Sequence, residues 1–329
     1  MYYLESPSTD PYFNLALEQH IFDAFDRRHE YFMLWRNNNA VIVGKHQNTL
    51  AEVNAAYVKD NNIAVVRRLS GGGAVYHDLG NINFTFIVTG DSPGGFDFAV
   101  FCNPVVRALA GLGVTAEING RNDMTIQGAK FSGNAQYRKQ GRIMHHGTIL
   151  YDSDLSQVGR ALVVSKDKIA SKGLKSVRSR VTNVKEHMPG NTTVEHFIKA
   201  LREAMFEQKE LTAICLSEAD LEAVNTLRRD VYETWDWNYG ASPPCSMVKT
   251  RRVEGCGTLQ VHMDVQQGKI NGLAFFGDYF SNRDSAELAE RLTGQPLDPA
   301  VLADVLRKAP VDEYFHNLAA DALVAILTQ

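Results

Sequence analysis

Cysteine is scarce in this 329-residue chain, and the four that occur, Cys102, Cys215, Cys245 and Cys256, form no CxxC pair. That scatter argues against a disulfide framework or a thiolate zinc site and fits reduced thiols in a cytoplasmic protein. No apolar run approaches the ~18 residues that suggest a membrane span. The opening Met1-Tyr2-Tyr3-Leu4-Glu5 has neither a basic start nor a long apolar run, so no secretory leader is expected. An excess of positive charge is missing as well. With 34 Lys and Arg against 38 Asp and Glu, the net charge is −4, which argues against bulk nucleic-acid binding. Two common phosphate signatures are absent: there is no GxxxxGK[ST] and no GxGxxG opening a helix. A nucleotide site, if present, uses another geometry. Neither a GxSxG elbow, nor a Ser/His/Asp order, nor an internal repeat is visible. The length suits one large domain or two of unequal size.

What is present centres on Arg67-Arg68-Leu69-Ser70-Gly71-Gly72-Gly73-Ala74-Val75-Tyr76-His77-Asp78. A strand over Ile63 to Val66 leads into two arginines, three glycines and a second apolar stretch ending at His77. Consecutive glycines remove every Cβ from one spot, so backbone can approach a ligand closely and adopt positive φ. Arginines beside them offer planar, permanently charged forks for carboxylate or phosphate oxygens. The triplet alone reads as a hairpin turn. The flanking strands and the charge make it a candidate loop for a small acidic ligand.

Asp10-Pro11 predicts an N-cap and first turn, followed by an amphipathic helix to about Arg28. Tyr31 to Trp35 and Ala40 to Val43 read as strands joined by an Asn37-Asn38-Asn39 turn, and Thr49 to Glu52 reads as a capping box opening a helix to about Lys59. Further strands are expected over Asn81 to Thr89, Val114 to Ile118, Asp123 to Ile126, Lys130 to Tyr137 and Arg142 to Leu150. Helices are expected over Phe96 to Leu112, Asp154 to Leu162, Thr193 to Gln208 and Glu218 to Thr234. Tyr239-Gly240-Ala241-Ser242-Pro243-Pro244 is the best linker candidate, dividing a domain over 1–241 from a smaller α+β domain over 246–329. That tail carries a hairpin around Gln267-Gly268 and helices over Arg283 to Leu292, Pro299 to Lys308 and Asp312 to Leu327.

Several residues could carry chemistry. Lys130 lies among small and apolar neighbours in Gln127-Gly128-Ala129-Lys130-Phe131-Ser132-Gly133. It reads either as an edge-strand lysine or as an ammonium holding a carboxylate and a phosphate together. Asn122-Asp123 reads first as a turn, with Asp123 a weaker candidate oxygen ligand for Mg²⁺. His145 and His146, adjacent on a strand, point to opposite faces and cannot share one metal. The basic run from Lys166 to Lys185 is a solvated face or a loop that closes over an anion. No cysteine adjoins these stretches, so a thioester mechanism lacks an evident nucleophile unless the fold brings Cys102 near.

Taken together, Asp10 to Ala16, Arg67 to Asn81, Gly120 to Asp123, Lys130 to Gly133, His145 to Thr148 and Ser176 to Asn183 make the chain resemble the lipoate–protein ligase A family over nearly its full length. Val261 to Ile270 is similar to that family's accessory domain, while the segment between Asp123 and Lys130 is shorter than is usual there. The resemblance implies an α+β fold of the biotin/lipoate-ligase type, a mixed sheet flanked by helices, with the small α+β domain attached. It implies an enzyme that joins lipoate to AMP from ATP with Mg²⁺, then transfers the lipoyl group to a lysine of a carrier domain. Carriers would be dehydrogenase E2 lipoyl domains or the glycine cleavage H protein, and the enzyme would act as a monomer in the cytoplasm. Lys130 would be the catalytic residue. Arg67, Arg68, Ser70, Gly71, Gly72, Gly73, Ala74, Val75 and Tyr76 would bind the adenylate with it. His77, Asn122, Asp123, His146, Thr148 and Arg180 are further candidates. The alternatives are an ATP-independent octanoyl or lipoyl transferase, which would use a cysteine, and an enzyme fed with preformed lipoyl-AMP. A non-catalytic carrier-binding protein and a biotin ligase fit the motifs less well.

Overall fold

The computed structural model describes residues 1–90, 97–120, 122–162, 181–190, 192–206, 212–239 and 247–328. Arg121, Arg180, most of the basic run, the linker from Gly240 and Cys245 lie outside the described residues. The chain divides into two compact units. The first comprises Met1–Val43, Leu50–Arg67 and Ala74–Asn238; the second comprises Gly44–Thr49, Arg68–Gly73 and Tyr239–Gln329. Two short stretches from the front of the chain therefore belong with the tail.

In the first unit, the described residues form a sheet in the order β11-β1-β2-β6-β10-β9-β8-β7. Its strands are β1 (Tyr2–Glu5), β2 (Tyr31–Trp35), β6 (Asn81–Thr89), β7 (Glu117–Asn119), β8 (Asp123–Ile126), β9 (Ala129–Lys139), β10 (Arg142–Leu150) and β11 (Thr212–Ala213). β1 runs parallel to both β2 and β11, while the remaining pairs are antiparallel. The mixed sheet agrees with the expected fold class. β3 (Ala40–Val43), β4 (Ala64–Arg67) and β5 (Val75–His77) form a separate sheet in the order β4-β3-β5. β2 and β3, although joined by the asparagine turn, thus pair in different sheets.

Helix α1 (Pro11–Ala24) starts where the sequence predicts, with the Asp10 side chain accepting from Tyr12 N and Phe13 N. Its far end is closed by Arg142, fully buried in β10, whose Nη1 donates to Phe22 O at 2.5 Å and Phe25 O at 3.0 Å. A cation there opposes the negative end of the helix dipole. The helix expected over 49–59 is broken into one turn, α2 (Thr49–Glu52), and a second helix, α3 (Ala55–Asp60), capped by Asn54. Val53 between them bridges to Leu162.

The polar–apolar alternation of Asn81 to Thr89 suggests one wet face, yet Asn81 to Ile87 are all buried. α1 brings Glu18 against Thr85. On the other face, Phe101 of α4 (Ala99–Gly111) packs on Phe86 and on the His145 ring. Polar residues therefore line a buried face, which ordinary core packing does not require.

In the second unit, β12 (Met247–Val253), β13 (Gly257–Gln266) and β14 (Lys269–Gly277) form an antiparallel sheet. Gln267 and Gly268 both take positive φ, 51° and 75°, as the two-residue hairpin turn requires. Helices Ser285–Leu292, Pro299–Arg307, Val311–Tyr314 and Ala320–Thr328 accompany the sheet; Leu259, Val261, Phe275, Leu288, Leu306 and Leu327 belong to the shared core. The single helix expected over 312–327 is two, separated by a turn in which Asn317 has φ 61°.

Candidate active site

Lys130 sits near the start of β9, opposite Thr125 of β8, just past a register shift between Met124 and Thr125. Its ammonium lies 2.6 Å from Asp123 Oδ1, with both side chains a little over one-third exposed. The stem lies over Gly133, where a Cβ would stand 3.0 Å from Nζ and 3.2 Å from Cε. Asn122 ties the same strands together: its Nδ2 donates to Asn134 O at 2.7 Å, and its carbonyl accepts from Asn134 N at 2.9 Å. On β10, Thr148 Oγ1 accepts from Gly133 N at 3.1 Å. Thr182 N donates to Lys130 O at 2.9 Å, which brings the stretch at 181–183 beside the lysine. Lys130, the adjacent Asn122 and Asp123, and Thr148 come from three stretches of sequence and form one cluster.

The sheet face under α1 continues from Thr148. Asn83 is opposite Thr148, and Thr85 is opposite His146. Glu18, only 2 % exposed, receives the His146 Nδ1 contact at 2.9 Å and the Thr85 hydroxyl at 2.7 Å. Thr85 Oγ1 in turn accepts from Trp35 Nε1 at 2.9 Å. Asn81 Nδ2 donates to Asn83 Oδ1 at 2.9 Å, leaving Asn81 Oδ1 and Asn83 Nδ2 buried without a protein partner among the described residues. Unmatched buried amides of this kind suit a polar ligand. Glu18, Trp35 and Asn83 escape a motif reading. The available signal was Asn14 and Glu18, polar residues four apart on the side of α1 that also carries the buried Leu17 and Ile21. His145 faces the opposite way, against Phe84 and Phe101, with Nδ1 3.1 Å from Gln136 Nε2, and burial pushes its pKa well below 6.5. The two histidines diverge as strand geometry demands.

Arg67 is largely buried; its Nε donates to Trp237 O at 2.8 Å and its Nη2 to Asn238 O at 3.2 Å. Desolvation lowers its pKa to about 10, which still leaves a cation at neutral pH. Tyr76 donates its hydroxyl to Asn39 Oδ1 at 3.0 Å, and burial raises its pKa to about 12. His77 Nδ1 is 3.2 Å from Asn37 Nδ2. Ala74 and Val75 are half-buried.

In the second unit, Arg68 staples the glycine turn from within. Its Nε donates to Ser70 Oγ at 3.0 Å, and its Nη2 donates to Gly71 O at 2.7 Å and Gly73 O at 2.9 Å. Lys45 N donates to Ser70 O at 2.8 Å, bringing the 44–47 segment alongside. Cys102 is fully buried in α4, and burial raises its thiol to about 12. Cys256 lies in the core of the second unit and Cys215 is exposed.

Residues 10–206 match the lipoyl protein ligase A/B catalytic domain, and residues 242–327 match the bacterial lipoate protein ligase C-terminus. The chain is 41% identical to lipoate-protein ligase LplJ of Bacillus subtilis over 321 residues, 97% of each chain. The crystal structure of P. falciparum LipL1 in complex with lipoate shares the fold at a TM-score of 0.80, with 24% identity and 99% of each chain covered. Lipoate-protein ligase A bound with ATP has a TM-score of 0.62 and 26% identity, covering 73% of this chain and 98% of that one. On this similarity, which spans both units, the chain belongs to the lipoate–protein ligase family.

Proposed function

We propose that this protein is an ATP-dependent lipoate–protein ligase, which converts lipoate and ATP to lipoyl-AMP and pyrophosphate and then acylates a lysine of a lipoyl carrier domain. The observation that carries this reading is 41% identity to a lipoate-protein ligase across 97% of both chains. A carboxylate is a poor electrophile, and adenylation gives it a leaving group. Lys130, held by an ion pair to a carboxylate that is a little over one-third exposed, is placed to exchange Asp123 for the substrate carboxylate and α-phosphate, offsetting charge that develops during attack. Arg68 and the glycine turn, continuing to Tyr76, would take the nucleotide. The buried face with Trp35, Thr85, Glu18 and His146 would hold the acyl chain and keep water from the anhydride.

Mg²⁺ would screen the nucleotide phosphates. No group of three His, Cys, Asp or Glu side chains suited to a metal occurs among the described residues, and Mg²⁺ commonly relies on one or two carboxylates together with substrate phosphates. Asp123, beside Lys130, is the protein oxygen suited to it. E2 lipoyl domains and the glycine cleavage H protein are the proposed acceptors. No helix of the described residues is long and apolar enough to cross a membrane; a monomer working in the cytoplasm completes the proposal.

Transferase chemistry on the same fold would need an available thiolate, and Cys102, raised to about 12 and fully buried, is unsuited to that role. The test is lipoate-dependent pyrophosphate release from ATP with no carrier present. Release supports the first half-reaction; its absence, with turnover only from supplied lipoyl-AMP, replaces it with the adenylate-fed alternative.

A further inference from the structure

The glycine triplet is not uniform. A Cβ at Gly71 would stand 2.3 Å from Tyr279 O and 3.2 Å from Phe280 Cδ1. At Gly72, where φ is +91°, it would stand 3.0 Å from Arg68 Nη2 and 3.2 Å from Phe280 Cε1. At Gly73 it would meet nothing within 4 Å. The first two glycines are thus closed in by residues 279–280 together with Arg68, and the third faces open space.

The 277–281 segment that makes this contact is anchored on several sides. Gly277 N donates to His46 O at 2.6 Å, and the His46 ring stacks on Tyr279 at 4.4 Å with an interplanar angle of 14°. His46 Nε2 lies 2.7 Å from Ser281 Oγ. The Tyr279 hydroxyl reaches Ser285 Oγ at 2.9 Å, and Phe280 O accepts from His316 N at 3.0 Å. Phe280 is fully buried yet stands outside the core cluster of its own unit, which includes its neighbour Tyr279. Its ring lies instead against the glycines.

We infer that Phe280 is a positioning residue for the ligation reaction. Its ring, backed by the Tyr279 carbonyl, fixes the shape of the 70–73 turn so that Gly73 presents its backbone to the nucleotide. A turn with three glycines has more freedom to lose than any other, and a binding element left loose spends substrate affinity on its own ordering. Arg68 restrains that freedom from inside the turn and Phe280 from outside. The inference rests on the ligase reading and on the nucleotide binding at this turn.

The test compares Phe280→Leu, which keeps apolar volume without a flat ring, with Phe280→Tyr, which keeps the ring over Gly72. Pyrophosphate release is followed against ATP and against lipoate, with melting curves for each protein. Misplacing a binding element by about 1 Å can cost up to ~100-fold, so a partial loss of shape should raise the KM for ATP about tenfold in Phe280→Leu. The kcat at saturating ATP and the KM for lipoate should stay near wild type, and Phe280→Tyr should recover the KM for ATP. A general loss of structure would move all of these together. Gly73→Val, at a position with open space and no positive φ, supplies an independent arm: it should keep its melting temperature and lose ATP affinity. A folded Phe280→Leu enzyme with wild-type KM for ATP, or a Gly73→Val enzyme with unchanged ATP affinity, overturns the inference. Absence of pyrophosphate release from the wild type would instead remove the reading beneath it.

Discussion

Lys130 Nζ stands 2.6 Å from Asp123 Oδ1, and the same lysine stem crosses Gly133 with no room to spare for a Cβ. A strand lysine that only discouraged aggregation would need neither a fitted track nor a dedicated carboxylate. Lys130→Ala should lower adenylate formation by about 10² to 10³, the loss typical when one charge-stabilising donor is removed. Because the side chain is more than one-third exposed, its melting temperature should barely change. Pyrophosphate release and a thermal melt on the same sample check both halves. Normal turnover in the folded variant would end the assignment.

Close approach at Gly147 tests the architecture beneath that lysine. A Cβ there would meet Asn134 Oδ1 at 2.2 Å and the Phe84 ring at 2.4 Å. Neither can withdraw easily, because Asn134 Nδ2 also donates to Asn122 O and Ser132 Oγ. Gly147→Ala should cost about 1–3 kcal/mol, as overpacked cores do, read by denaturant unfolding.

Removing Glu18 should separate stability from chemistry in another way. Its carboxylate holds both His146 Nδ1 and Thr85 Oγ1 in a buried setting. Glu18→Leu takes the shared acceptor from both partners, and leaving a buried polar group short of its hydrogen bond costs about 1–3 kcal/mol. Glu18→Gln, which keeps an acceptor, should fall well short of that. Chemical denaturation of the two variants measures the difference.

His145 gives a pH dependence with a definite sign. Burial among aromatic rings holds its pKa well below the ordinary 6.5, so the folded state stays neutral where the unfolded chain takes up a proton. The unfolded state binds more protons as pH falls below 6.5, and stability should decline from there downward. His145→Phe should flatten the slope between about pH 6.5 and 5, above the ordinary carboxylate range. Melting temperatures across that window supply the check.

The sequence made some of this legible because local rules governed it. Asp10-Pro11 starts α1 where capping chemistry says it must, and Gln267-Gly268 turns the hairpin with the positive φ values expected of it. Motifs single out Lys130 and Asp123 separately, and the two meet because they lie on adjacent strands joined by a short turn. Non-local packing was not legible in the same way. Nothing in Asn81 to Thr89 says that both faces are covered, or that Glu18 reaches across from another element to Thr85. Nor does the triplet say which glycines Phe280 occupies, since that contact joins residues more than 200 positions apart.

The central claim is ligation driven by ATP, and the most direct measurement is the intact mass of an apo lipoyl carrier domain incubated with this protein and lipoate. With ATP present the carrier should gain one lipoyl group, on a lysine, and without ATP it should gain none. Cys102→Ser should behave as wild type, since that thiol is fully buried and raised to about 12. A carrier acylated equally well without ATP, or left unmodified with it, would contradict the account.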